Sequence, residues 1–278
     1  MRNISSLSEI NKFRHGLSGT IGLVPTMGAL HDGHLSLIKQ SNETCDHTIV
    51  SIFINPTQFS ENEDLSSYPK TLEADLKLLK RLRVDAVFLP TNNTMYPTGY
   101  STFVNENSLS KGLEGASRPN FFKGVITVVV KLFNIISPSH SFFGEKDAQQ
   151  LQIIKKIVRD LNYSIDIVSC PIIREKTGLA MSSRNTYLSD ESRKSAKIIY
   201  SALKHGVAML DGGESNATII QQAITSKIQS ESSAKIDYVT ISNKVSLEEI
   251  KGEVNCGVLI SAAVYFDGVR LIDNISFP

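Results

Sequence analysis

His31 and His34 stand three residues apart, with Gly33 beside the second, between an apolar run and a helical pattern. That spacing at a helix start sets both imidazoles on one face, beside backbone N–H groups that have no intrahelical partner. Such a terminus attracts anions, and two imidazoles add directed hydrogen bonds to phosphate oxygens. Farther along, Lys146 in Gly144-Glu145-Lys146-Asp147 offers a compact positive charge for a phosphate. Met181-Ser182-Ser183-Arg184-Asn185 supplies two hydroxyls and a guanidinium able to grip a phosphate with two hydrogen bonds. Asn55, Gln58 and Gln150 are amides, which read a hydroxyl or carboxylate without adding charge. Each group alone has a plainer reading as surface polar residues, an Asn-Pro turn or a solvated turn.

The elements needed to position these groups are legible in the apolar pattern. Ile21–Val24 is a short apolar run ended by Pro25, and Leu35, Leu37 and Ile38 begin a helix. Thr48–Ile54 is a second apolar run rich in β-branched residues, stopped by Pro56, as expected for a parallel strand buried on both faces. Thr71 is placed to cap a helix bearing Leu72, Leu76, Leu79 and Leu82, and Ala86–Leu89 is a third strand. Residues 1–19 read as a helix, residues 91–123 as a long loop, and Gly124–Ile136 as a buried crossover helix. Ser139–Phe143 and Ser164–Cys170 complete five strands alternating with helices, which implies right-handed crossovers and a parallel sheet. The candidate residues then lie at the strands' carboxyl ends, the edge where open α/β sheets bind ligands.

Beyond Cys170 the pattern changes. Ser189 starts a long helix to about Leu210, a second helix covers Ala217–Ile228, and strands follow at Ile236–Ile241 and Val258–Phe266. Asp267-Gly268 signals a hairpin. The expected division is a parallel α/β domain over residues 1–173 and a smaller α+β domain over 174–278, with the Met181–Asn185 segment bridging them.

With 278 residues, 41% hydrophobic and 21% charged, the composition is that of a globular protein. A net charge of +1 argues against a general nucleic-acid or anionic-membrane binder. Cys45, Cys170 and Cys256 are few, odd in number and widely spaced, so a reducing cytoplasm is the expected setting. No secretory leader is expected, and the most apolar run, Gly124–Ile136, is too short to span a bilayer.

Taken together, PTMGALHDGH, SIFINPTQF, FFGEKD with Gln150, and MSSRN occur in an order that resembles the pantothenate synthetase family of the HIGH-type nucleotidyl transferases. The resemblance covers nearly the whole chain. It implies a Rossmann-like domain with an α+β lid domain, usually a homodimer, that joins pantoate to β-alanine using ATP and Mg²⁺. It further implies that Pro25, Thr26, Met27, Gly28, Ala29, Leu30, His31, Asp32, Gly33 and His34 bind ATP, with His34 assisting the departing phosphates. Gly144, Glu145, Lys146 and Asp147 join the ATP site, as do Ile173 beside the adenine and Met181, Ser182, Ser183 and Arg184. Asn55, Gln58 and Gln150 are implied for pantoate, and Gln58 for β-alanine as well. His31, His34, Lys146 and Arg184 form the implied catalytic set.

Arg118-Pro119-Asn120-Phe121-Phe122 stands where the family pattern has Arg-Pro-Gly-His-Phe, so no histidine role transfers to position 121. Glu73 and Asp75 are the carboxylates near the family's metal region, and neither is assigned to Mg²⁺, which is expected to be held mainly by the ATP phosphates. Two other readings are a different HIGH-type nucleotidyl transferase and a non-catalytic nucleotide-binding protein. The amide set favours a carboxylate-and-hydroxyl substrate over the former. His34, Lys146 and Arg184 together favour catalysis over the latter.

Overall fold

The computed structural model describes residues 1–60, 65–255 and 257–278; Cys256 lies outside the described residues. The first of its two units comprises Met1–Glu145 and Gln150–Pro171. The chain runs β1 (Arg2–Ile4), α1 (Leu7–His15), β2 (Ile21–Thr26), α2 (Asp32–Thr44), β3 (His47–Ile52), α3 (Leu72–Arg81) and β4 (Ala86–Phe88). It continues through the short α4 (Asn92–Met95) and α5 (Glu114–Ser117) to α6 (Phe121–Ile136), β5 (His140–Gly144), α7 (Ala148–Asp160) and β6 (Asp166–Cys170). All described pairings are parallel, in the order β1-β4-β3-β2-β5-β6.

Side-chain alternation along the strands fills both faces of the sheet. Leu23, Ile49, Phe88 and Phe143 pack with Ile10 of α1, Ile126 and Phe133 of α6, and Ile154 of α7. Their neighbours Val24, Val50, Val87 and Phe142 face Leu37 and Ile38 of α2 and Leu79 of α3. The sheet is therefore doubly wound. Its order reverses between β2 and β5, the switch point at which such sheets open a crevice.

Four local differences from the sequence pattern have physical causes. Arg2–Ile4 forms an edge strand because it pairs with β4, a partner more than 80 positions away that no local pattern shows. β2 runs through Pro25 to Thr26. The Phe53 N–H donates to the Thr26 carbonyl, so Pro25 turns its missing N–H toward β5, where pairing has already ended at Leu23. α6 begins at Phe121, three residues before the apolar run, after Asn120 takes a left-handed backbone (φ 69°) that asparagine tolerates. The loop of residues 91–123 also contains the one-turn helices α4 and α5.

The second unit comprises Lys146–Gln149 and Ile172–Pro278. Its elements after residue 171 are α8 (Asp190–Ser195), α9 (Ile198–Asp211), α10 (Ala217–Gln229), β7 (Lys235–Asn243), β8 (Val258–Phe266) and β9 (Val269–Phe277). Ser189 caps α8 by accepting from the Ser192 N–H. The expected single long helix is two, because the Ile199 N–H reaches the Ala196 carbonyl, a tightened three-residue turn. β7-β8-β9 is an antiparallel sheet, and Ile199, Leu203, Ile220 and Ile224 pack on it against Ile241, Ile260 and Val264. Asp267 (φ 47°) and Gly268 (φ 78°) make the β8–β9 hairpin turn, in which both central residues need positive φ. The excursion of Lys146–Gln149 into this unit departs from a simple division near residue 173. Among the described residues no helix is long and apolar enough to cross a membrane.

Candidate active site

In the first unit, Pro25 and Thr26 end β2, and Met27–Leu30 turn the chain into α2. Gly28 (φ 85°) and Ala29 (φ 51°) both take left-handed backbone there. The turn keeps that shape because Asp75, 2% exposed at the start of α3, accepts the Ala29 N–H (3.0 Å) and the Leu30 N–H (2.9 Å). Thr71 does not cap α3 with its side chain; its hydroxyl donates to the same carboxylate. Asp75 thus has both oxygens committed to the turn, a role that no local pattern signals.

His31 is the N-cap of α2, and His34 stands one turn in. The His31 Nδ1 accepts the Gly33 N–H (3.1 Å), and the His34 Nδ1 accepts the His31 N–H (3.4 Å), a reciprocal capping box made by two imidazoles. Their ring centroids are 4.1 Å apart. The histidines therefore take up backbone donors that the spacing alone would have left for an anion. Because each Nδ1 accepts from an amide, a neutral ring carries its proton on Nε2. Both rings are half-buried, and Asp32 between them is exposed.

At the end of β3, Asn55 is 1% exposed and caps a single 3₁₀ turn, Pro56–Gln58. Its Oδ1 accepts from the Thr57 N–H, the Thr57 hydroxyl and the Tyr96 hydroxyl (2.8 Å). Its Nδ2 donates to the Gly124 carbonyl (3.1 Å) and to the Gln58 Oε1 (2.8 Å). An amide N–H can only donate and a backbone carbonyl can only accept, so the orientation of Asn55 follows. With its Oε1 taken by Asn55, Gln58 presents its NH₂ donors. Asn55, expected to emerge at the strand end, is buried with its polar atoms engaged inside the protein. Burial raises the Tyr96 hydroxyl above its ordinary pKa, so it acts in this network as a neutral donor.

The loop before α6 also reaches this turn. Arg118 Nη2 donates to the Gln58 carbonyl (3.2 Å), and its guanidinium lies 3.6 Å from the centre of the Phe121 ring. Phe121 is a platform for Arg118. Gly144 ends β5, Glu145 is exposed, and Gln150 lies half-buried in the first turn of α7. Arg118, Tyr96 and Asp75 are supporting residues that spacing could not reveal, since each acts across 40 to 60 positions of chain.

In the second unit, Lys146 and Asp147 lie in the 3₁₀ turn before α7, with Lys146 Nζ 3.6 Å from the Asp147 carboxylate. Residues 172–185 fold back on themselves. Arg174 pairs with Ala180 in an isolated bridge, and the Met181 N–H donates to the Ile173 carbonyl, bringing those two predicted ATP-site residues together. The Ser182 hydroxyl accepts the Arg184 N–H and caps a 3₁₀ turn over Ser183–Tyr187. Arg174 makes two hydrogen bonds to Asp273 (2.5 and 2.9 Å) and stacks over Tyr200. Asn185 donates to Glu175 and to the Ala180 carbonyl. Among the described residues no group of three His, Cys, Asp or Glu side chains is placed to hold a metal ion.

A parallel, doubly wound sheet with a His-x-x-His helix start at its switch point defines a nucleotide-binding α/β enzyme. The model of the pantoate–β-alanine ligase family matches residues 1–276, and the chain belongs to that family. It is 50% identical over 275 residues to a pantothenate synthetase of Acetivibrio thermocellus, covering 99% of this chain and 98% of that protein. A pantothenate synthetase of Enterococcus faecalis is 51% identical over 257 residues, 92% of this chain and 91% of the relative. The crystal structure of pantothenate synthetase from Thermus thermophilus superposes with a TM-score of 0.94 at 39% identity, covering 99% of both chains. The Francisella tularensis ligase, solved with β,γ-ATP and β-alanine, gives a TM-score of 0.81 at 35% identity, with 99% of this chain and 97% of that chain covered. The chain is an AMP-forming ligase, condensing pantoate with β-alanine through pantoyl-adenylate in pantothenate biosynthesis.

Proposed function

We propose that the two half-reactions are divided among the residues described above. Adenylation requires the pantoate carboxylate to attack the α-phosphorus of ATP, an approach of anion to polyanion that cationic groups and directed donors must ease. The Nε2–H groups of His31 and His34 donate to the phosphates, His34 serving the departing pyrophosphate. Met27–His34, Gly144–Asp147 and Met181 line the nucleotide, and Ile173 flanks the adenine. Lys146 carries positive charge to the reacting phosphate and Arg184 grips the triphosphate, the second unit serving as the lid that delivers them. Gln58 holds the pantoate oxygens with its NH₂ group and later touches β-alanine, whose amine attacks the acyl carbonyl and expels AMP. Gln150 assists with pantoate, and Asn55 acts by aiming Gln58.

Mg²⁺ enters as MgATP, held by the phosphates. Asp75, whose oxygens already serve two amides and a hydroxyl, is not its ligand. We place the enzyme in the cytoplasm as a homodimer, a setting suited to the free thiols of Cys45 and Cys170.

The observation carrying this reading is the reciprocal capping of His31 and His34, which fixes both rings with Nε2 as the proton-bearing atom. Single-turnover formation of the adenylate tests it. His34→Ala should slow that step about 100-fold, the scale of losing one preorganised donor, with the pantoate KM little changed. Gln58→Ala should raise the KM for pantoate and β-alanine and leave that for ATP in place. The opposite pattern, with Gln58→Ala selectively losing ATP, overturns the assignment.

A further inference from the structure

The adjacent residues Asp273 and Asn274 of β9 are both about 95% buried, deep for a carboxylate and an amide. Their contacts run to different parts of the second unit. Asp273 takes the two-pronged hydrogen bond from Arg174, and Arg174 Nη1 also donates to the Gly178 carbonyl, closing the fold-back of residues 174–180. That fold-back continues directly into Met181–Arg184. The Asn274 Nδ2 donates instead to the backbone carbonyl of Lys146 (2.8 Å). The Asn274 N–H donates to Asp273 Oδ1 (2.8 Å), and the Asn274 carbonyl accepts from Arg174 Nη2 (3.4 Å), so the two contacts are locked together. Burial pushes the Asp273 carboxyl up, while Arg174 and, more weakly, Lys146 favour its ionised form.

We propose that Asp273 and Asn274 are positioning residues for adenylation. They fix the Lys146 turn and the segment carrying Arg184 to one strand, so that the two cationic groups keep a preset separation. This rests on the reading of Lys146 and Arg184 as triphosphate ligands. Both side chains are long and flexible, and anchoring their backbones removes much of the freedom that would otherwise blur their aim. A displacement of about 1 Å at such a group costs on the order of 100-fold in rate. Asn274 touches no substrate in this account; it acts through Lys146.

The test measures two steps separately in the full-length enzyme: single-turnover pantoyl-adenylate formation, and aminolysis of supplied pantoyl-adenylate by β-alanine. Asn274→Ala should slow the first by about 10- to 100-fold and the second by less than about 3-fold. Asn274→Asp, which keeps the size but cannot donate to the Lys146 carbonyl when ionised, should do the same and serves if the alanine variant does not fold. Combining Asn274→Ala with Lys146→Ala should be no slower than Lys146→Ala alone, because the amide works through that lysine. Equal loss of both half-reactions, or multiplying effects in the double variant, overturns the proposal and leaves the ligand reading intact. Wild-type adenylation by Lys146→Ala would overturn both.

Discussion

Two parts of this enzyme proposed to meet phosphate are held by different means. The Met27–His34 turn is capped from within, His31 taking the Gly33 N–H and His34 the His31 N–H across two or three positions of chain, and is braced from outside by Asp75. The Arg174–Arg184 fold-back and the Lys146 turn depend on β9, through partners 99 and 128 positions away. A capping box can close as soon as its helix forms, with α3 needed in addition to hold the Ala29 and Leu30 amides. A segment tied to a distant strand has its geometry only when the second unit is complete. On the proposed assignment, the histidine contacts to the nucleotide are set close by in sequence, whereas the placement of Lys146 and Arg184 depends on the completed second unit.

The largest effect expected from this contrast is at Lys146. Lys146→Ala should cut kcat for adenylation by roughly 100-fold or more with little change in the ATP KM, because a preorganised charge serves mainly the transition state. Arg184→Ala should move kcat and ATP KM together, by about 10-fold in kcat/KM, the scale of losing a charge-assisted hydrogen bond. Rapid-quench measurements at varied ATP separate the two. Identical profiles would erase the distinction between a charge that stabilises and a grip that also binds.

A smaller effect sharpens the local half of the comparison. Asp75 is a remote residue on which the Met27–His34 turn leans, so Asp75→Ala should cost about 1–3 kcal/mol in chemical denaturation, the penalty of leaving partly buried amides unpaired. It should slow adenylation while sparing aminolysis of supplied adenylate. Unchanged stability and rate would make the turn fully self-sufficient.

These contrasts also explain what the sequence disclosed. The strand–helix alternation, the placement of the histidines between a strand and a helix start, and the Asp267-Gly268 hairpin follow from short-range periodicity and turn chemistry. The edge strand Arg2–Ile4 has only three residues and depends on β4, so periodicity could not find it. Asn55 and Gln58 were legible as a pair of amides. That Asn55 is buried and aims Gln58 was not, because Tyr96 and Gly124 lie 41 and 69 positions away. Asp75 invites reading as a metal ligand until its two amide donors are seen. Lys146 reads as part of the first domain by its position in the chain, yet its contacts belong to the second unit.

The smallest predicted effect is at Cys170, which ends β6 at the carboxyl edge of the sheet. Burial, and secondarily the negative charge of Glu145, push its thiol pKa to about 11. At pH 8 only about one molecule in a thousand carries the thiolate, the nucleophilic form. Peptide mass spectrometry after brief alkylation should find Cys170 protected in the native enzyme and modified once denatured. Cys45, raised by burial and by Asp46, should behave alike. Rapid native labelling of Cys170 alone would mean that this edge opens, and that the first unit is less self-contained than its wiring implies.

Pro25 bears on how such an enzyme keeps its crevice. The register of β2 on β5 covers only Gly22 and Leu23, although both strands run on beyond. Two parallel strands diverging from a paired stem resemble an unfinished zipper, and the next tooth on the β2 side would be the N–H of residue 25. Proline removes that tooth. The gap cannot be closed by extending the ladder, nor can a stray extended peptide find a donor there. An imino acid thereby helps to hold an entrance open, and any other residue at that position would put an N–H back on this edge of β2.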